Sequence, residues 1–260
     1  MVPSQSIRYI QYQGSKSSAI DAGVIVETPV SLTVNGKNWL TFMCTPIMLE
    51  EMAIGFLYNE GIISTLEEIE DVRICEHEDN IDIWLTRSVD EPGSWRRTSG
   101  CSGGVTAVDL LSERLTAIPV RKGMIRPEQI TALVAGLFES QELYKKTGGV
   151  HTTALCDGED IVLSAEDIGR HNTIDKIAGA YLRSKPELPH RYLITTGRIS
   201  SEMLQKASRL QTEVLISRTS PSSLSIQLAE RMGITLIGYA RRNRYNVYTH
   251  PERIKDDPKD

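Results

Sequence analysis

The second half of the chain alternates short apolar runs with amphipathic stretches, and this alternation constrains the fold more than any other feature. Strands are predicted at 150–155, 161–163, 192–195, 214–217, 234–239 and 245–248. Helices are predicted at 127–146, 172–183, 201–210 and 222–232. Strands that alternate with helices form a sheet with helices on its faces. We therefore predict an α/β fold for this part of the chain.

The first third has the pattern of a smaller α+β unit. Asn35-Gly36 is a strong hairpin signal between a strand at 31–34 and a returning strand at 39–44. The remaining predicted elements are strands at 24–27, 73–75 and 81–85 and a helix at 48–58 that Gly61 ends. Residues 88–104 are polar and rich in Gly, Pro and Ser. We therefore predict a small domain over 1–95 and a larger α/β domain over 96–260.

The two predicted domains differ in charge. The net charge is −5, but residues 1–95 carry 5 basic and 15 acidic side chains, whereas the rest carries 24 basic and 19 acidic ones. Such a division suggests different partners for the two parts. The acidic part could dock a basic protein surface, and the basic part could hold an anionic ligand. Basic residues form local clusters and no long stripe, so nucleic-acid binding is not expected.

The cysteines and the apolar runs indicate the cellular compartment of the protein and whether it holds a metal. No apolar run is long enough to span a membrane, and the first residues lack a secretory pattern. The four cysteines are widely spaced, with no C-x-x-C and no His/Cys cluster. This spacing argues against a disulfide framework and a structural zinc site. We expect a cytoplasmic protein that holds no metal directly.

Cys101 lies in a loop that cannot bury it. The run Arg96-Arg97-Thr98-Ser99-Gly100-Cys101-Ser102-Gly103-Gly104 surrounds the thiol with small residues, and two arginines precede it. Nearby positive charge favours the thiolate, which is the nucleophilic form. Two interpretations fit this loop: a reactive thiol presented to a second macromolecule, or a Gly/Ser linker in which a cysteine happens to lie.

Two turns between strands and helices place an arginine among hydroxyl side chains. Arg198 precedes Ser200 and Ser201, and Arg218 precedes Ser220-Pro221. Ser200 or Ser201 and Ser220 are predicted helix caps, with Pro221 at the first helical position. Helix N-termini beyond the carboxyl ends of strands bind phosphate readily. The pattern suggests an anion site, although ordinary capping also explains the serines.

Further candidates lie in two polar clusters. Tyr239-Ala240-Arg241-Arg242-Asn243-Arg244 contains three arginines, which repel one another unless an anion is present. Tyr239 or Tyr245 could stack on a heteroaromatic ring, so a nucleotide diphosphate would fit this cluster. Residues 167–176 form a second cluster that could line the same cleft. Within it, His171 is either a general acid–base group or a structural histidine.

Taken together, these segments resemble the FdhD family of formate dehydrogenase accessory sulfurtransferases. The resemblance covers nearly the whole chain and rests on the order and spacing of the segments. They are Glu27-Thr28-Pro29, 55–63, 98–104, 148–151, 167–176, 196–198, 217–218 and 246–253. The resemblance implies a three-layer α/β domain similar to the cytidine deaminase fold, preceded by the smaller α+β domain. The H-x-E and P-C-x-x-C zinc ligands of a deaminase are missing from the sequence.

The resemblance also implies a function. Family members accept sulfur as a persulfide from a cysteine desulfurase and transfer it to the molybdenum cofactor, bis-molybdopterin guanine dinucleotide, for formate dehydrogenase. The persulfide-carrying cysteine of the family matches Cys101. The cofactor-binding segment matches Tyr239, Ala240, Arg241, Arg242, Asn243 and Arg244. The family commonly forms homodimers.

The sequence departs from the family pattern in the loop. Many members carry C-x-x-C there, whereas this chain has Gly104 at the second position. A resolving cysteine that could expel the sulfur is therefore missing from this loop. We favour a persulfide relay through Cys101 alone; the alternative is a non-catalytic chaperone that binds and delivers the molybdenum cofactor.

Overall fold

The structure of the chain is a computed structural model. It describes residues 2–92, 117–242 and 244–255, together with the backbone of 95–97 and 105–107. Four sheets and six α-helices are present in this part of the chain. None of these helices is long and apolar enough to cross a membrane.

A four-stranded sheet and one helix form the acidic part. Its strands are β3 (Thr28–Val34), β4 (Lys37–Cys44), β5 (Ile69–Ile74) and β6 (Asn80–Leu85), in the order β4-β3-β6-β5. Helix α1 (Leu49–Asn59) packs on one face over an apolar core that includes Leu32, Phe42, Ile83 and Phe56. Asn35 and Gly36 both have positive φ, as a two-residue hairpin turn with this handedness requires. The predicted hairpin is therefore confirmed.

The larger part is a six-stranded sheet between two layers of helices. Its strands are β9 (His151–Cys156), β10 (Ile161–Asp167), β11 (Tyr192–Thr195), β12 (Val214–Ser217), β13 (Thr235–Arg241) and β14 (Arg244–Val247), in the order β10-β9-β11-β12-β13-β14. Only β11, β12 and β13 run parallel to one another within this sheet. Helix α2 (Pro127–Glu139) packs on one face. Helices α4 (Arg170–Ser184), α5 (Ser201–Arg209) and α6 (Ser223–Met232) cover the other. The predicted mixed α/β class is confirmed.

Three features differ from the prediction or extend it. Strands β1 (Ser4–Gln13) and β2 (Lys16–Ile25) form a long hairpin. Strand β1 was not predicted, and the strand predicted at 24–27 overlaps only the last two residues of β2. The helix predicted at 127–146 is two helices, because α2 ends at Glu139 and α3 spans Leu143–Thr147. The carboxylate of Glu166 accepts the N–H groups of residues 142–144 and so begins the second helix. Short strands β7 (Trp95–Arg97) and β8 (Val105–Ala107) lie where the domain boundary is predicted, and that boundary stays a prediction.

Helices α1 and α4 join the two parts through a close backbone contact. A Cβ atom at Gly55 would overlap the carbonyl oxygen of Asp175, and one at Gly179 would overlap that of Glu51. Beside this crossing, the fully buried Lys176 ammonium lies 2.6 Å from Asp167 Oδ2, which also accepts the N–H of Thr45. A buried ion pair with all of these partners fixes the orientation of α4, whose first turn lies at the candidate site.

Candidate functional site

The polar segments singled out in the sequence meet at one edge of the six-stranded sheet. This edge contains the carboxyl ends of β11, β12 and β13. Strand β9 runs antiparallel to β11, so its first residue, His151, lies at the same edge, with Asp167 of β10 opposite it. Segments that are far apart in sequence therefore surround one surface region, as expected for a ligand site in an open α/β sheet.

A pocket of about 230 Å³ lies at this edge, where α4, α5 and α6 begin. Its walls come from three loops and consist of Arg170, Arg198, Ile199, Ser200, Ser220, Pro221 and Ser222. The described residues of this lining include no acidic side chain, although Glu202 lies in the first turn of α5. Two guanidinium groups and two helix N-termini therefore make the pocket electropositive, which suits a phosphate or another compact anion.

Serine side chains cap both helices at the pocket. Ser200 Oγ accepts the N–H of Met203 and begins α5, as predicted. The cap of α6 is Ser222, whose Oγ accepts the N–H of Ser225; the prediction of Ser220 as cap, with Pro221 at the first helical position, was wrong. Helix α6 begins two residues after its predicted start, because the N–H of Ser222 donates to Ile199 O. This hydrogen bond ties the loop before α6 to the loop before α5.

A close contact between Gly197 and Arg170 brings the first turn of α4 against the loop that follows β11. A Cβ atom at Gly197 would lie 2.9 Å from the Cβ of Arg170, so only glycine allows this approach. The Arg170 side chain is 7% exposed, whereas Arg198 is exposed. One guanidinium is thus fixed in the wall of the pocket and the other lies at its mouth.

Two histidines adjoin the pocket. His171 Nε2 lies 3.5 Å from Ser200 Oγ, and burial holds the pKa of His171 well below its ordinary value, with the charges of Lys206 and Arg170 adding to this effect. His151 Nδ1 lies 3.3 Å from Thr196 Oγ1, and burial followed by the charge of Arg170 lowers the pKa of His151. Both rings are therefore neutral at pH 7, and the positive charge of the site comes from its arginines.

Arg218 lies at the same edge, on the side of the sheet that α2 covers. Its guanidinium carbon is 4.1 Å from the ring centre of Phe138, and its Nε is buried without a hydrogen-bond partner among the described residues. Burial lowers the pKa of Arg218, and the charge of Arg241 lowers it further. Phe138 was not predicted at the site, because nothing in a helical pattern indicates that an aromatic residue will contact an arginine of another element.

The predicted cofactor-binding segment is divided between several environments. Tyr239 is exposed, and its N–H donates to Thr219 O beside the Arg218 loop. Ala240 is buried in the core beneath α2, so its side chain cannot contact a ligand. Arg241 and Arg242 are exposed, and Asn243 lies outside the described residues. Arg244 lines a separate cavity of about 590 Å³ with Pro127, Glu128, Thr131 and Tyr245.

The cluster at 167–176 is also divided. Arg170 lines the pocket and His171 adjoins it beside Ser200, whereas Asp167, Asn172 and Lys176 form the buried network beside the crossing of α1 and α4. The sequence suggested one polar cleft. Helical geometry explains the difference, because residues in successive positions of α4 point to different sides of the helix.

The cysteines differ in accessibility. Cys101 lies outside the described residues, between β7 and β8, where Arg97 is paired with Val105. Cys44 and Cys156 are buried, and burial raises the pKa of each thiol to about 12. Cys75 is partly exposed, and its Sγ lies 2.8 Å from Asp79 Oδ1. Among the described cysteines, Cys75 alone can contact a solvent-borne reagent.

Comparisons with known proteins agree on one family. A sequence profile described as the FdhD/NarQ family matches residues 25–255. The chain is 35% identical over 250 residues to the sulfur carrier protein FdhD of Bacillus subtilis, covering 95% of each chain. It is 34% identical over 259 residues to the sulfur carrier protein FdhD of Staphylococcus haemolyticus, covering 98% of this chain and 97% of the relative.

A solved structure shares the fold. It is a crystal structure of a protein from Desulfotalea psychrophila whose assignment as a formate dehydrogenase accessory protein is provisional. The two chains are 29% identical and superpose with a TM-score of 0.82, over 97% of this chain and 100% of the other. The likeness therefore extends along nearly the whole chain.

Proposed function

The chain belongs to the FdhD/NarQ family, and from this membership we propose that it is a sulfurtransferase for formate dehydrogenase. In this proposal Cys101 accepts sulfur as a persulfide from a cysteine desulfurase. The sulfur then passes to the molybdenum cofactor, bis-molybdopterin guanine dinucleotide, which the protein binds as a substrate. The observation that supports this proposal most is the match to sulfur carrier proteins along nearly the entire chain.

The loading step is a thiol exchange. The Cys101 thiolate attacks the outer sulfur of the donor persulfide, the S–S bond of the donor breaks, and the donor leaves as a thiolate. One sulfur atom moves and no external oxidant is needed. The burial of Cys44 and Cys156 supports the choice of Cys101, because a thiol with a pKa of about 12 is almost never ionised at pH 7.

The onward step needs two electrons if the sulfur leaves as sulfide. A second loop cysteine would supply them by closing a disulfide, but Gly104 occupies that position. We therefore propose that an external dithiol supplies the electrons, and that the loop carries sulfur on one thiol. The specific partners would be a cysteine desulfurase and a formate dehydrogenase, met in the cytoplasm by a homodimer of this chain.

The electropositive edge of the sheet supports the cofactor part of the proposal. The cofactor carries diphosphate groups, and the pocket between Arg170 and Arg198 offers guanidinium groups and helix N-termini, with no acidic residue among the described residues of its lining. Arg218 and Arg241 add charge nearby, and the exposed ring of Tyr239 could stack on a base. These groups would bind and orient the phosphates, and the Mo chemistry belongs to the substrate itself.

A non-catalytic chaperone remains the second candidate, because a loop with a single cysteine lacks the resolving thiol. Intact-protein mass spectrometry after incubation with a cysteine desulfurase and cysteine separates the two. We expect a gain of one sulfur, about 32 Da, in the wild type and its loss in Cys101→Ala. Cys75→Ala is the matched control, since it removes the partly exposed thiol and should load normally.

The same experiment can contradict the proposal in two ways. No gain in the wild type with an active desulfurase would favour the chaperone. A gain that persists in Cys101→Ala and disappears in Cys75→Ala would assign the carrier role to the other accessible cysteine.

A further inference from the structure

The outer face of the four-stranded sheet is open to solvent. Helix α1 covers only the inner face, where Leu32, Phe42 and Ile83 are buried. On the outer face the exposed or half-buried side chains come from all four strands. They include Pro29, Ser31, Thr33, Thr41, Met43, Asp71, Arg73, Asn80, Asp82 and Trp84. Two pairs are hydrogen-bonded across the strands, Thr33 to Asn80 at 3.0 Å and Ser31 to Thr41 at 3.2 Å. The result is a mainly polar surface on which four of the side chains are held by hydrogen bonds.

Trp84 projects from this polar surface. It is 44% exposed and is the one exposed large hydrophobic side chain in residues 26–92, all of which the structure describes. The position of a Cβ at Gly36 lies 3.6 Å from Trp84 Cη2, so the indole rests against the β3–β4 turn. An exposed, oriented tryptophan on a polar sheet is typical of a binding hot spot.

Carboxylates flank the indole. Asp71 lies directly opposite Trp84 on β5, and Asp82 lies two residues before it on the same face of β6. Arg73 is paired with Asp71. Asp82 has Arg73 directly opposite it on β5 but forms no ion pair with a described residue, and Lys37 in the adjoining turn is a second cation beside this face.

The residues around this face also carry a net negative charge. Residues 1–95 contain 15 acidic and 5 basic side chains, and two of those basic residues are already paired, Arg73 with Asp71 and Arg87 with Glu68. The exposed Glu76 and Asp79 extend the negative region along the β5–β6 turn. A positively charged partner would be attracted to this face and a negatively charged one repelled.

The β5 edge of the sheet is less suited to docking than its face. Strands β4 and β5 are the two edge strands, and in β5 a bulge between Ile69 and Asp71 interrupts the pairing. Glu70 and Arg73 are exposed along it. Bulges and charged side chains are the features that prevent addition of another strand. A partner is therefore expected to lie across the face, over the indole.

We propose that this outer face, centred on Trp84, docks an arginine-bearing or lysine-bearing segment of a partner protein. The indole ring receives the cation on its π-face, and Asp82 pairs with it from the side. Since the face is small and polar, the complex is a transient one, as a protein that receives a group and hands it on requires.

Binding of a fluorescein-labelled oligoarginine peptide to the full-length protein, measured by fluorescence anisotropy, tests this proposal. We expect Trp84→Ala to weaken the affinity about fivefold, Trp84→Phe to retain most of it, and Asp82→Asn to weaken it about threefold. Tyr12→Ala, which removes an exposed aromatic residue of the β1–β2 hairpin, and Glu187→Gln, which removes an exposed charge of the larger part, should leave it unchanged.

Three results would overturn the proposal. The peptide could bind Trp84→Ala and the wild type equally, or Glu187→Gln could weaken binding as much as Asp82→Asn, which would mean general attraction to an acidic protein. Alternatively, sedimentation could show that Trp84→Ala dissociates an oligomer, which would assign the face to a second copy of the chain. The test does not use sulfur loading, so it is independent of the role of Cys101.

Discussion

At the scale of single residues, His171 shows how the fold controls the charge of the site. It lies beside Ser200 at the pocket, and burial holds the pKa of its imidazole well below the ordinary value of 6.5, with Lys206 and Arg170 acting in the same direction. The unfolded chain therefore takes up a proton that the folded chain does not, as the pH falls through the ordinary range. Such a group leaves the stability of the native state unchanged well above pH 6.5 and lowers it progressively as the pH falls below that value.

The consequence is a pH-dependent free energy of unfolding. We expect His171 to contribute a loss of about 1 kcal/mol as the pH falls from 6.5 to about 5.5. In urea unfolding at these two values, His171→Gln should lose less stability than the wild type. His77→Gln, in the exposed turn between β5 and β6, is the matched control and should follow the wild type. Equal losses in His171→Gln and the wild type would show that His171 is protonated as easily in the folded state.

At the scale of secondary-structure elements, the crossing of α1 and α4 depends on two glycines. A methyl group at Gly55 would overlap the backbone of Asp175, which no rotamer change can relieve. We expect Gly55→Ala to lower the free energy of unfolding by about 3 kcal/mol, because the helices must separate and the buried Lys176–Asp167 pair beside them is disturbed. Urea unfolding measures this change.

Gly136 in α2 is the matched control for that substitution. A Cβ there would lie 3.3 Å from Cδ1 of Ile161, the flexible end of a side chain that can move. Alanine also favours a helix over glycine by about 1 kcal/mol. Gly136→Ala should therefore be neutral or stabilising. If both substitutions cost the same, general helix effects would explain the loss, and the close crossing would not.

The secondary-structure elements also show where sequence patterns are sufficient to predict the structure. The strands from β9 to β14 and helices α4 to α6 lie close to their predicted positions, because apolar periodicity reflects burial directly. Strand β1 was missed because its exposed side chains mix Ser, Gln, Tyr and Ile without a buried face. The break between α2 and α3 depends on the carboxylate of Glu166, which is distant in sequence. Contacts of this kind leave no local pattern.

At the scale of the whole molecule, the candidate site could be predicted only in part. Arg198 and Ser200 were expected at a helix N-terminus beyond a strand, and the fold places them there. The sequence suggested that the cluster at 167–176 could line the same cleft, but it could not show that Arg170 is the residue that does so or that Arg244 lines another cavity, because both positions follow from how whole elements pack. Topology brings together the loops after β11 and β12 and the start of α4, and each contributes part of the pocket.

A ligand that binds such a composite pocket should stabilise the entire native state, since unfolding any of these segments destroys the site. Guanosine diphosphate carries the base and phosphates of the proposed substrate and is a suitable probe. At a free concentration of 100 times its Kd, one bound ligand adds about 2.7 kcal/mol to the free energy of unfolding. We therefore expect guanosine diphosphate to raise the Tm of the wild type, with guanosine having little effect because it lacks phosphates.

Two arginine variants test whether the pocket binds the phosphates. Arg198→Ala should lose most of the increase in Tm. Arg183→Ala removes an exposed arginine that is paired with Glu50 and Glu51 away from the pocket, so this variant should keep the increase. An equal increase in Arg198→Ala would place the phosphates elsewhere, and no increase in the wild type would remove the pocket from the proposed cofactor site.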